Sequence, residues 1–399
     1  MNHRNYTILA GILLAPFLGW AANPAPSATN LTAPPLPAIR ALKIEPAALK
    51  FHDGRHERGV LVLGQTDAGK FVDLTAQTTF KTDATNIVLR GAAVIAKSAG
   101  TAEVTISAAG YSAKLPVTVE SAAVPPVRFV RDIEPVLSKV GCNAGTCHGS
   151  AKGKNGFKLS LRGYDPDFDY EALVNDISGR RFNRVNVDES LMLQKPTGEV
   201  PHEGRQAIKP GSREFEMLRA WIAEGAKPER TEAGRATKIE VLPAEIEMDL
   251  AGRAQQLLVI AHYADDTTRD VTRDAIFSSS NTDVAEVKDG QVRALRRGEA
   301  AVLIRYEGIY ATKELTVMGD RAGYEWANTT TNNFIDQHVY AKLQRIKALP
   351  SELCTDSEFI RRVALDLTGL PPKAERVRAF LADTNDSKLK RDTLIDQLI

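Results

Sequence analysis

The sequence predicts a multidomain protein with two small all-β sandwiches, one mostly α module between them, and one α-helical C-terminal segment. Three observations predict it. One pattern of alternating short strands recurs in the same register over 38–120 and over 236–318. Between the copies, helical periodicity brackets a cysteine–cysteine–histidine motif. After the second copy, capping signals and apolar residues at i, i+4 take over.

The chain of 399 residues opens with His3 and Arg4, then an apolar run from Ile8 to Trp20. Gly19-Trp20-Ala21 offers the small residues a signal peptidase reads. The run is too short and too weakly flanked for a membrane span, so 1–22 is expected to be a secretory signal peptide. An uncleaved anchor is the alternative, and the one route to a membrane. Residues 23–37, with Pro34, Pro35 and Pro37, predict an extended tether. Net charge is +1, with acids and bases interspersed and no basic run, which excludes nucleic acid as a partner. Three cysteines are too few for a disulfide framework; Cys354 is left over.

The repeat is read from spacing. Pro46 precedes Asp73-Leu74-Thr75 by the interval at which Pro243 precedes Asp270-Val271-Thr272. Phe80 and Phe277 follow their threonines equally. Gly100-Thr-Ala and Gly298-Glu-Ala stand at matched distances before Val117-Thr-Val119 and Leu315-Thr-Val317. Strand-length alternation between glycine and aspartate turns predicts a small sandwich in each copy. Both copies resemble the bacterial Ig-like domain of group 2, found on surface and adhesion proteins. That resemblance implies spacer or docking duty. Asp73 and Asp270 are expected to form turns, and His52 and His56 to lie in a solvated turn.

The motif is Cys142-Asn-Ala-Gly-Thr-Cys147-His148. A c-type haem is held by two thioethers, and the histidine after the second cysteine binds its iron. The common spacing is C-x-x-C-H; here the spacer is longer, and Gly145 is expected to ease its bend. A disulfide between Cys142 and Cys147, with His148 incidental, is the alternative. Zinc wants four ligands, and no second cysteine pair exists. A helix is predicted over Phe129–Val140, and another through Phe215, Leu218, Ala220, Trp221 and Ile222 up to Glu224-Gly225. The module is placed at 124–229. On the motif and on Leu218-Arg-Ala-Trp-Ile-Ala-Glu-Gly-Ala226, residues 127–229 resemble a cytochrome c domain of the planctomycete and verrucomicrobial type. Related domains often carry Met-Pro-Pro before the closing helix. Here Val200-Pro201-His202 stands there, so the resemblance implies His202 as distal iron ligand, with Met192 or an open iron as alternatives.

From 331 to 399 the pattern is helical. Thr355-Asp-Ser-Glu358 is a capping box, and Gly369 with Pro371-Pro372 is a stop. On Phe334–Leu343 and Phe359–Pro371 this segment resembles the start of a domain of unknown function that accompanies planctomycete cytochromes. Ile399 falls inside a helical pattern without a stop signal, so the chain is expected to be a fragment.

Together these features predict an exported protein, periplasmic or at the cell surface. Its middle module would carry single electrons through one covalent haem c. Cys142 and Cys147 would fix the porphyrin, and His148 would be the proximal ligand. Redox proteins are the expected partners, with a cell-surface polysaccharide or protein as a further one. No Ser-His-Asp set, paired-carboxylate cleft or phosphate loop stands out, so electron transfer rather than catalysis is expected. Three alternatives stay open: a non-redox adhesion scaffold with the disulfide, a haem enzyme, and a polymer-degrading surface protein whose active part lies in a missing C-terminal region.

Overall fold

The structure, a computed structural model, describes residues 31–229, 234–319, 321–327 and 329–399. The predicted signal peptide, 1–22, lies outside the described residues. The chain divides into two compact units, one up to Asp320 and one from Arg321.

The first copy contains β1 (Ile39–Glu45), β2 (Leu49–Phe51), β3 (Arg58–Gly59), β4 (Leu61–Thr66), β5 (Phe71–Asp73), β6 (Thr79–Lys81), β7 (Ile87–Arg90), β8 (Ala93–Ala96), β9 (Gly100–Ala108) and β10 (Tyr111–Val119). They form sheets β1-β4-β5, β2-β10-β9-β6 and β3-β8-β7. Alternation decides which side chains enter the core. On β10, Leu115, Val117 and Val119 are buried and their neighbours are not, and Val104 and Ile106 of β9 join them.

The second copy contains β11 (Ala236–Leu242), β12 (Ile246–Met248), β13 (Ala254–Gln256), β14 (Leu258–Tyr263), β15 (Thr268–Asp270), β16 (Ile276–Ser279), β17 (Ala285–Lys288), β18 (Gln291–Ala294), β19 (Gly298–Tyr306) and β20 (Ile309–Val317). Its sheets are β11-β14-β15, β12-β20-β19-β16 and β13-β18-β17, so the repeat holds strand for strand. Pro46 and Pro243 both follow cis peptide bonds.

Asp73 and Asp270 form turns, as expected, but that is half of their work. One oxygen of each takes a local amide: Asp73 Oδ1 accepts from Thr75 N (2.8 Å) and Asp270 Oδ1 from Thr272 N (3.0 Å). The other oxygen crosses to the opposite copy. Asp73 Oδ2 accepts from Gln256 N at 2.6 Å, and Asp270 Oδ2 from Gly59 N at 2.7 Å. Accordingly β5 lies against β13, and β15 against β3. The copies therefore pack on one another, and do not merely flank the middle module. The described end of the proline-rich stretch is also docked and not a free tether. Arg253 donates to the carbonyls of Pro34 (2.9 Å) and Pro35 (2.7 Å).

In the middle module a π-helical turn, Phe129–Ile133, runs into α1 (Glu134–Lys139), within the helix predicted over 129–140. Next come α2 (Pro166–Val174), α3 (Leu191–Thr197) and α4 (Arg213–Ala223). Ser212 caps α4 by accepting from Phe215 N (3.3 Å), and Gly225, at φ 96°, ends it. The fully buried Trp221 of α4 centres the core, 5.2 Å from the Phe129 ring and 5.6 Å from Phe182. Its indole N–H donates to Lys227 O (3.2 Å), so burial leaves no polar atom stranded.

The module is bolted to the second copy by charge. Arg213 grips Asp274 with two hydrogen bonds (2.6 and 2.9 Å), and Arg131 reaches Asp265 (3.1 Å) while stacking on Tyr263. Asp132 accepts from Arg269 Nη1 at 2.7 Å. The loop expected to be solvated, His52 to His56, turns inward instead. His56 and Arg55 are mostly buried beside Asp132 because a charged loop at a junction finds its counter-charge there.

Glu307, buried beside Ala236 N, has its carboxyl pushed up to about 8 by that burial. The folded protein therefore holds a proton that the unfolded chain releases above pH of about 4.3. Stability from this group is full below that point and is lost as pH rises toward 8. Denaturation midpoints measured from pH 5 to 8 should fall with pH, by an amount worth a few kcal/mol, and Glu307→Gln should flatten the fall. An equal slope in the variant would assign the fall elsewhere.

The second unit contains α5 (Phe334–Arg345), α6 (Asp356–Thr368), α7 (Ala374–Ala382) and α8 (Ser387–Leu398). The Thr355–Glu358 capping box forms, and Gly369, at φ 71°, ends α6 as the sequence predicts. Ile360, Phe380 and Leu394 are its buried core.

Candidate functional site

A cavity of about 460 Å³ opens in the middle module. Its wall brings together Cys142, Cys147, His148, Met192 and His202, the five residues singled out in the sequence. α1 delivers the chain to Gly141, whose φ of 84° turns it sharply into Cys142. The longer spacer then closes on itself. His148 N donates to Cys142 O (3.0 Å) and Gly149 N to Ala144 O (3.1 Å). A Cβ on Gly149 would fall 2.0 Å from Asn143 O, so only glycine permits this closure. Gly145 is not left-handed and a Cβ there would meet only an ordinary contact, so the bend expected of it is not made there; the left-handed turn lies at Gly141, and Gly149 is needed for close approach.

Both cysteines are free thiols. Burial, with Cys147 and Glu134 adding to it, pushes the Cys142 thiol up to about 12. A metal-binding thiolate needs the opposite shift, so this sulfur stays a neutral thiol. Among the described residues no group of three or more His, Cys, Asp or Glu could hold a metal ion.

The two histidines are held alike. His148 Nδ1–H donates to Phe157 O (3.0 Å), and its ring lies 4.5 Å from the Phe157 ring. His202 Nδ1–H donates to Arg205 O (3.2 Å). A carbonyl accepts only, so each Nδ1 is the donor; in a neutral imidazole that leaves the lone pair on Nε2, the tautomer a metal ligand needs. The His148 imidazole is further kept neutral by burial and then by nearby positive charge. Gly204 makes room for the His202 ring, which a Cβ there would meet at 2.8 Å. The two rings are 13° from parallel, with centroids 6.4 Å apart.

That separation is of the size two imidazoles would have if they shared one metal. Metal–nitrogen bonds of about 2.0–2.1 Å, plus roughly 1 Å from nitrogen to ring centre on each side, put the ring centres about 6 Å apart. Met192 also lines the cavity, but it is nearly buried and packs within the module's apolar core.

Behind the motif lies a group the sequence did not announce. Glu134, at the start of α1, is buried against Asp169 of α2 and accepts from Asn143 Nδ2 (3.0 Å). Asp169 accepts from Ser160 Oγ (2.6 Å). Burial raises both carboxyls, and their proximity adds to it for Glu134, so the pair holds a proton. Gly163 (φ 71°) leaves the space that Glu134 fills, as a Cβ there would lie 2.5 Å from its Oε1. This is a paired carboxylate after all, yet it is shut away from solvent and no substrate could meet it. No sequence signal links Glu134 to Asp169, because α1 and α2 are brought together only by the loop between them.

Residues 334–399 match the family model PSCyt2, described as a protein of unknown function, DUF1549. No curated protein matches the chain. Among solved structures, domains 5–6 of the S-layer protein SbsC are 11% identical, covering 72% of this chain and 100% of that one at a TM-score of 0.29. SbsC domains 4–9 are 11% identical, covering 71% and 32%, at 0.28. Invasin, a bacterial integrin-binding protein, is 12% identical, covering 69% and 38%, at 0.15. Scores this low say nothing of function.

Proposed function

We propose that the middle module is an exported one-electron carrier built around a single covalently attached haem c. One observation carries the proposal: two near-parallel imidazoles, both tethered through Nδ1, face one cavity beside two free thiols. When bound, the group supplies reversible one-electron transfer at its iron.

The chain's own residues do the rest. Cys142 and Cys147 fix the macrocycle so that it is not lost outside the cell. Phe157 O aims His148 through its Nδ1–H, and Arg205 O aims His202 likewise. Two imidazoles, in place of the imidazole–thioether pair, favour a lower potential. Phe157, Leu159 and Met192 supply apolar wall that limits water, which also tunes potential. The Ig-like pair, packed on itself and on the module, serves as the scaffold that orients it.

The test is a denaturing gel of the full chain matured in a host with haem c attachment machinery. Peroxidase stain at the protein's mass is the expected result. An unstained band with a Cys142–Cys147 disulfide by mass spectrometry would instead identify a non-redox scaffold.

A further inference from the structure

We infer that Arg180 and Lys195 bind the two carboxylates of a tetrapyrrole seated in this cavity; the inference rests on the haem proposal above. Four cationic side chains line the cavity, Lys154, Arg180, Arg181 and Lys195, against one acid, Glu203. Two of the four are already engaged. Lys154 pairs with Glu203 at 3.1 Å. Arg181 is nearly buried, stacks 4.1 Å over the Phe157 ring, donates to Ala172 O (2.9 Å) and pairs with Asp176 (3.3 Å). Arg180 and Lys195 have no acidic partner among the described residues; Lys195 Nζ only approaches Pro201 O at 3.5 Å. Two open cations at an apolar cavity match a ligand with an apolar body and two carboxylates, since carboxylates are buried at an edge only when paired.

The backbone supports the assignment independently. Ile177, Ser178 and Gly179 take φ of 53°, 53° and 67° in succession, just before Arg180. Ile177 lines the cavity itself and is exposed. A branched side chain in the left-handed region is strained, and such strain gathers at ligand clamps. This kink sets Arg180 at the cavity. Lys195 comes from α3, one turn beyond Met192, and its charge, with those of His202 and Arg181 ahead of it, adds to the burial that lowers the His148 imidazole.

The test uses the full chain carrying covalent haem, with potentiometric titration across pH. In the wild type, paired carboxylates stay ionised, and the midpoint potential is expected to be flat between roughly pH 4.5 and 7. In the double variant Arg180→Gln, Lys195→Gln the haem stain should persist, while the potential becomes pH-dependent across that range. Its high-pH limit should also lie below the wild-type value. The charge-keeping double variant Arg180→Lys, Lys195→Arg should stay flat. An unchanged profile in the glutamine variant overturns the inference, as does a uniform shift without pH dependence. Loss of stain in the wild type is a separate result, and it removes the haem proposal and this inference with it.

Discussion

Asp132→Ala is expected to lower the stability of the first unit by about 3–5 kcal/mol, read as a lower urea midpoint at unchanged slope. The carboxylate is fully buried, where the middle module meets both β-rich copies. Its Oδ1 accepts from Arg269 Nη1 (2.7 Å) and its Oδ2 from Arg128 N (2.8 Å), with His56 at 3.7 Å and Arg55 at 3.9 Å. Burial alone would raise its proton affinity, but the nearby His56 ring, the Arg269 charge and the Arg128 amide outweigh that and hold the carboxyl well below the usual range. Removing it leaves the buried Arg269 guanidinium without its main counter-charge; only Asp53, at 3.3 Å, remains. The sign with pH follows. A depressed carboxyl contributes stability above its unfolded value of about 3.9 and loses it as pH falls further. The gap between wild type and variant should therefore close in strong acid. An unshifted midpoint at neutral pH would mean that the three modules are not held through Asp132.

Replacing His202 with alanine is expected to convert the haem-loaded protein from a low-spin to a high-spin spectrum and to open the iron to cyanide or carbon monoxide. The expectation follows from the geometry of the pair. His148 is fixed through Phe157 O and by ring contact with Phe157, so it should stay in place when its counterpart is removed. His202 hangs on a loop, through one hydrogen bond to Arg205 O and against Gly204. Met192 is the nearby substitute, yet it is packed within the core and would have to leave it. A low-spin spectrum unchanged in His202→Ala but lost in Met192→Ala would hand the position to the methionine.

The sequence showed whatever depended on short intervals. The duplicate copies were legible because Pro46, Asp73 and Phe80 keep their intervals in Pro243, Asp270 and Phe277. α6 was legible because its cap and stop are local chemistry, Thr355 with Glu358 and then Gly369. The expectation for His202 came from the resemblance, which puts a distal ligand in the loop before the closing helix; its ring lines the cavity. What stayed hidden needed partners far along the chain. Nothing near Asp132 names Arg269, and nothing near Asp73 names Gln256. The inward turn of His56 was missed for the same reason: a charged loop reads as solvated until its counter-charge is placed. Gly145 was credited with the need for a glycine, which close packing places at Gly149, and no spacing rule distinguishes the two.

The crossed amide contacts between the β-rich copies have a geometric consequence. Gly59 stands to Asp73 as Gln256 stands to Asp270, so each copy gives the other what it receives. Such a contact is isologous, the kind made by a two-fold dimer, here written into one polypeptide. An isologous face is used up by its two members, whereas head-to-tail faces leave an open end for the next module. This face therefore closes on its two members and does not serve as the joint of a head-to-tail row. The pair makes a finite base on which the middle module sits at a fixed angle.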